Sequence, residues 1–183
     1  MKNQLSIVFV FCSFLSFSQM FMPGIKYSGF YHFDKTYFQD INGGEIGIDL
    51  NWKFNAHGLS FYAGLGRFTY IGSENVSTVD DVETGTVVLA YNYYLIDREK
   101  WYVSLDLGAR FRNSNKSYFS GTNKGDYSIV KSLSPQLGLE AAYIFGPVVL
   151  ATGLDGIYLF EFGNSNQDVN LFPFVAIRGI LGN

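Results

Sequence analysis

From Ile25 onward the chain falls into eight segments in which apolar and polar side chains alternate one by one. Successive side chains on an extended backbone point to opposite faces, so each segment reads as a strand with one apolar and one polar side. In the stretch GEIGIDLNWKF, Gly44 to Phe54, the residues Ile46, Ile48, Leu50, Trp52 and Phe54 share one face. Glu45, Gly47, Asp49, Asn51 and Lys53 share the other. The first segment, about Ile25 to Phe33, sets Ile25, Tyr27, Tyr31 and Phe33 on its apolar side. The third, Leu59 to Ile71, carries Leu59, Phe61, Ala63 and Leu65, then slips by one to Phe68 and Tyr70. Such a slip predicts a bulge near Gly64 or Gly66. The fourth, Thr84 to Leu95, aligns Val87, Leu89, Tyr91, Tyr93 and Leu95.

The fifth, Trp101 to Arg112, alternates Trp101, Val103, Leu105, Leu107, Ala109 and Phe111 with Tyr102, Ser104, Asp106, Gly108, Arg110 and Arg112. The sixth, Ile129 to Phe145, sets Leu133, Leu137, Leu139, Ala141 and Tyr143 against Gln136, Gly138 and Glu140. The seventh, Val148 to Phe162, sets Leu150, Leu154, Tyr158, Phe160 and Phe162 against Gly153, Asp155 and Glu161. The eighth, Val169 to Leu181, sets Leu171, Val175 and Ile177 against Ala176 and Arg178. No segment after the N-terminus has a helical period.

The connections alternate in length. NAHG, IDREK and FGP are short hairpin turns, whereas Asp34–Gly43, Gly72–Glu83, Asn113–Ser128 and Gly163–Asp168 are longer and polar. Short and long in strict alternation around an even number of strands predicts an all-β fold, an eight-stranded antiparallel up-and-down transmembrane β-barrel. A soluble barrel would present the same alternation with its apolar side inward. A secreted calycin-like ligand-binding barrel is therefore the competing expectation.

Four features favour lipid. The segments run to ~9–13 residues, the length needed to cross a bilayer at a tilt, against ~5–6 for a globular strand. Charged residues are only 16% while aromatics reach 18%, and a soluble surface usually needs about 25% charge. The apolar face is bulky and uncharged; the polar one is mostly small, rich in Gly, Ala, Ser and Asn. Aromatics also gather in two bands, the pattern of interfacial girdles. One band, beside the short turns, holds Trp52, Phe54, Tyr91, Tyr93, Trp101, Tyr143 and Phe145. The other, near the long loops, holds Tyr31, Phe33, Phe68, Tyr70, Phe111, Phe160 and Phe162.

The N-terminus reads as an export signal. Lys2 supplies the positive end, Leu5 to Leu15 the apolar stretch, and Ser16 to Ser18 the small residues before a cleavage at Gln19. Residues 1–18 are then a signal peptide and 19–183 one barrel domain, exported to the outer membrane of a Gram-negative bacterium. Cys12 leaves with the signal, so the mature chain has no thiol chemistry.

The inward set is Lys26, Glu45, Asp49, Lys53, Asp106, Arg110, Arg112, Glu140, Asp155, Glu161 and Arg178. Six acids and five bases in a narrow tube should pair, because a stranded buried charge costs several kcal/mol. The expectation is a plug of ion pairs in a structural or surface-binding protein, with a narrow porin-like channel as the alternative. His32 and His57 lack clustered partners, so neither a catalytic site nor a metal site is expected, and no cofactor is implied. A net charge of −3 gives no footprint for direct nucleic-acid binding. The expected partners are outer-membrane lipid, the barrel-assembly machinery, and an extracellular ligand or protein at the loops. Those loops carry Glu74, Asp80, Asp81 and Glu83 in one, and Lys116, Tyr118, Phe119, Lys124 and Tyr127 in another.

Over Ile25 to Leu181 this pattern resembles the small eight-stranded outer-membrane barrels, the OmpA transmembrane domain and OmpX type. The SFSQ signal ending and the Tyr/Phe/Asn/Gly-rich composition look like Bacteroidota outer-membrane proteins. One departure is the ending IRGILGN, where barrels of this type commonly finish on an aromatic residue. Gly138 to Asn164, GLEAAYIFGPVVLATGLDGIYLFEFGN, is also similar to the penultimate hairpin of the conjugative-transposon TraO family. That similarity would imply an outer-membrane part of a DNA-transfer apparatus.

Overall fold

Phe54 and His57 face each other across two residues, Asn55 and Ala56, and this tight reversal sets the architecture of one end of the molecule. The computed structural model describes residues 20–29, 31–33, 40–71, 79–120, 123–124, 128–160 and 167–181. It describes side chains over 20–29, 43–67, 83–113, 132–157 and 170–181. The expected signal segment, Cys12 and the acidic loop residues Glu74, Asp80 and Asp81 lie outside the described side chains, as do His32, Glu161, Lys116 and Lys124.

The strands are β1 (Met20–Gly29, resumed at Tyr31–Phe33), β2 (Asp40–Phe54), β3 (His57–Ile71), β4 (Val79–Asp97), β5 (Trp101–Ser120), β6 (Ser128–Phe145), β7 (Val148–Phe160) and β8 (Gln167–Gly179). Each pairs antiparallel with the next, and β1 closes the ring on β8 with Ile25 opposite Ile177 and Tyr27 opposite Val175. The fold is a closed eight-stranded antiparallel barrel, with no helix among the described residues. Closure removes the sheet edges, so every strand finds two backbone partners without water.

The short turns are stitched to the wall. Asn55 and Gly146 take the left-handed conformation, φ 54° and 57°, that Asn tolerates and Gly adopts freely. Each turn then accepts a backbone bond from the strand beyond it: Tyr94 N–H to Ala56 at 2.9 Å, Ile144 N–H to Lys100 at 2.8 Å, Ile180 N–H to Pro147 at 2.7 Å. At the junction, Phe21 and Leu181 exchange backbone bonds of 3.2 and 2.8 Å.

Two expectations need correction. The register of β3 against both neighbours is unbroken from His57 to Ile71, so there is no bulge at Gly64 or Gly66. Those glycines instead leave space on the inner wall, Gly64 beneath the Tyr62 ring and Gly66 beside Glu45. The irregularity lies between Tyr94 and Ile96, where β4 enters its short turn. Strands are also longer than the alternation marks: β5 takes in Asn113 to Ser120, β4 begins at Val79 and β2 at Asp40. Polar residues extend these ladders because pairing there needs only backbone groups.

The burial pattern inverts that of a soluble protein. Ile48, Leu89, Leu107, Leu137, Leu139, Val175 and Ile177 are exposed outside, while Glu45, Asp49, Arg110, Asp155 and Arg178 are buried inside. In the short-turn band Tyr91, Tyr93, Trp101 and Tyr143 are each a little over two-fifths exposed, and Phe111 is equally exposed toward the other end. Phe54 is half-buried. Trp52 departs from the band: it stacks on Phe21 with centroids 5.1 Å apart and is only 8% exposed. The side chains of Tyr31, Phe33, Phe68, Tyr70, Phe160 and Phe162 lie outside the described set.

Candidate functional site: the charged lumen

Strict alternation turns every second residue inward, and ten of the residues expected in the lumen lie there: Lys26, Glu45, Asp49, Lys53, Asp106, Arg110, Arg112, Glu140, Asp155 and Arg178. The inner wall is not uniformly small, as the composition of the polar face implied. Tyr62, Tyr94, Tyr102, Phe172, Phe174 and Met22 also point in and are buried. They fit because an inward glycine on a neighbouring strand faces several of them. A β-carbon on Gly153 would sit 2.5 Å from the Phe174 ring, and one on Gly58 3.2 Å from that of Tyr94.

At the short-turn end the lumen is floored by Met22, Tyr94, Tyr102, Ala142, Val149, Ala151 and Ala176. Tyr94 and Tyr102 meet edge to face at 5.1 Å. Lys53 lies across this floor, 4.9 Å from the centre of the Tyr94 ring, and its Nζ pairs with Asp97 at 2.5 Å at the mouth. Asp97 belongs to the turn end of β4, and alternation gave no hint of it.

Above the floor Arg178 is a hub. Its Nε donates to Asp49 at 2.6 Å; its two terminal nitrogens donate to the two oxygens of Glu140 at 2.5 and 2.6 Å, and one also to the Tyr102 hydroxyl at 3.0 Å. The fork shape of guanidinium makes this bidentate grip possible. One side chain from β8 thereby ties β2, β5 and β6 across the tube. Gly24, opposite Arg178 on β1, leaves the space through which its stem passes.

Higher up, Lys26 Nζ donates to Asp155 at 2.7 Å and sits 3.6 Å from the centre of the Phe174 ring. Arg110 pairs with Glu45, which also accepts from Thr86 at 3.0 Å. The guanidiniums of Arg110 and Arg112 lie 4.1 and 5.0 Å from the centre of the Phe172 ring. Asp106 differs: it accepts from Asn92 at 2.6 Å and Ser104 at 3.0 Å, both neutral.

His57 is not in the lumen. It opens β3 at the short-turn end, exposed, with Nδ1 against the Tyr91 hydroxyl and its ring 5.6 Å from that of Tyr93. Among the described residues no three or more His, Cys, Asp or Glu side chains cluster so as to hold a metal.

An apolar belt outside, paired charges inside and a closed antiparallel ring define a transmembrane barrel of the small outer-membrane type. Solved structures share this fold. Ail, the attachment invasion locus protein of Yersinia pestis, is 14% identical with a TM-score of 0.61, covering 90% of this chain and 99% of that one. Neisserial surface protein A is 15% identical with a TM-score of 0.58, covering 88% and 97%. OprG of Pseudomonas aeruginosa is 10% identical with a TM-score of 0.54, covering 88% and 92%. No protein-family model and no curated protein matches the chain. The likeness of Gly138 to Asn164 to the TraO hairpin rests on sequence alone.

Proposed function

We propose that this chain is an integral outer-membrane protein whose lumen is a closed structural plug and whose working surface is the long-loop end. The Arg178 hub carries the reading. A guanidinium 2% exposed, engaged by two carboxylates and a tyrosine hydroxyl, occupies the cross-section directly above an apolar floor. Ions passing there would have to break several charge-assisted bonds in a low-dielectric site. A narrow porin-like channel is the competing role, and eight strands leave little lumen for it once side chains fill the tube.

With the lumen closed, recognition falls to the extracellular loops on a rigid scaffold. The structural neighbour Ail has been solved in complex with the heparin analogue sucrose octasulfate. That precedent supports a surface-binding role, with the ligand of the present loops to be found by experiment. The test is reconstitution of the mature barrel in planar bilayers and recovery from fractionated cells. Expected are silent bilayers and recovery in outer membranes; steady open-channel conductance would overturn the plug, and recovery as a soluble periplasmic protein would overturn the membrane assignment.

A further inference from the structure

Asn92, Asp106, Gly138 and Asp155 form one row across β4, β5, β6 and β7, each opposite the next in register. Gly138 is the gap in this row. The point where its β-carbon would stand is 2.5 Å from Asp155 Oδ1 and 3.6 Å from Asp106 Oδ2, so two carboxylates converge over one glycine. Asp155 spends its other oxygen on Lys26, and Oδ1 is buried with no donor. Asp106 spends its other oxygen on Asn92 and Ser104, both neutral, and forms no ion pair with a described cation.

A second observation points the same way. Gln136 precedes Gly138 by one inward position on β6 and is 4% exposed, and its side-chain oxygen is also buried without a donor. The neighbouring acid, Glu140, is already engaged by Arg178 and Tyr102. The local set is therefore rich in acceptors and carries two carboxylates against the single ammonium of Lys26. A buried excess charge is costly unless something neutralises it.

We propose that the lumen binds one monovalent metal cation of sodium size between Asp106 Oδ2 and Asp155 Oδ1, with the Gln136 amide oxygen as a third ligand. Hard oxygen donors suit such an ion. One positive charge balances the local excess, and a divalent ion would face Lys26 Nζ, already 2.7 Å from Asp155. The bound ion would pin β5, β6 and β7 together at mid-barrel, adding a tie independent of the Arg178 hub.

The experiment compares thermal unfolding of the detergent-folded mature barrel in sodium chloride and choline chloride at equal ionic strength, with sodium-23 NMR relaxation on the same samples. Sodium should raise Tm by about 4 °C at ten times its Kd, and the barrel should accelerate sodium relaxation saturably. Asp106→Asn should abolish both effects, while Asp97→Asn, at the mouth, should keep them. Equal Tm in sodium and choline would overturn the site. So would stabilisation on acidification with no difference between the salts, because a proton would then neutralise the pair. Stabilisation by calcium alone would overturn the monovalent assignment. The wild-type comparisons decide even where a variant fails to fold.

Discussion

Leu139 and Glu140 are consecutive in the chain and sit in opposite media. Leu139 is 51% exposed on the outer wall; Glu140 is 4% exposed and gripped by Arg178 and Tyr102. In a soluble barrel the exposures would be exchanged. The contrast shows where each surface finds its stability. The outer wall needs only to be apolar and broad, because lipid is a forgiving neighbour. The inner wall holds most of its charges against partners from other strands, so its tolerance for change is far lower.

The strongest challenge to that contrast is to strand a lumen charge. Arg110→Glu should place a second acid against Glu45 and destabilise the barrel by at least about 3–5 kcal/mol, read by urea unfolding in lipid vesicles. Glu140→Ala should cost about 3–5 kcal/mol by leaving Arg178 short of its bidentate partner. Losses no larger than those of loop substitutions would mean that water, not pairing, carries the lumen charges.

Next in size is the outer wall. Leu139→Arg should cost about 2–4 kcal/mol near the bilayer midplane. A spin label at position 139 separates lipid from protein core directly. It should show high collisional access to oxygen and low access to a polar nickel chelate, and protection from both would mean a protein core. The smallest effect is expected at the mouth: Asp97, with its side chain 38% exposed, pairs with Lys53 where water screens the bond. Asp97→Asn should cost under about 1 kcal/mol. A cost equal to that of Glu140→Ala would show that the mouth is as dry as the hub.

Much of this was legible before the fold. Alternation in Trp101 to Arg112 assigned Asp106, Arg110 and Tyr102 to one face and Leu105 and Leu107 to the other, because side-chain parity on a strand is a local property. The short turns were legible for the same reason, since Asn55 and Gly146 bring the required backbone conformations themselves. The inward aromatics were harder to see. Phe172 and Phe174 share parity with Arg178, but composition argued for a small-residue wall, and the glycines that admit them stand on other strands.

What the sequence determined by itself is the number of strands, their faces and ten of the charges that face inward. Each of these follows from residues within a few positions of one another. What only the tertiary structure decided is the pairing. Arg178 meets Asp49 and Glu140, and Lys26 meets Asp155, 129 residues away. Asp106 receives only neutral donors while facing Asp155 across Gly138. Such partnerships depend on register, on closure of β1 against β8 and on the space each glycine leaves. None of these is a property of any single strand.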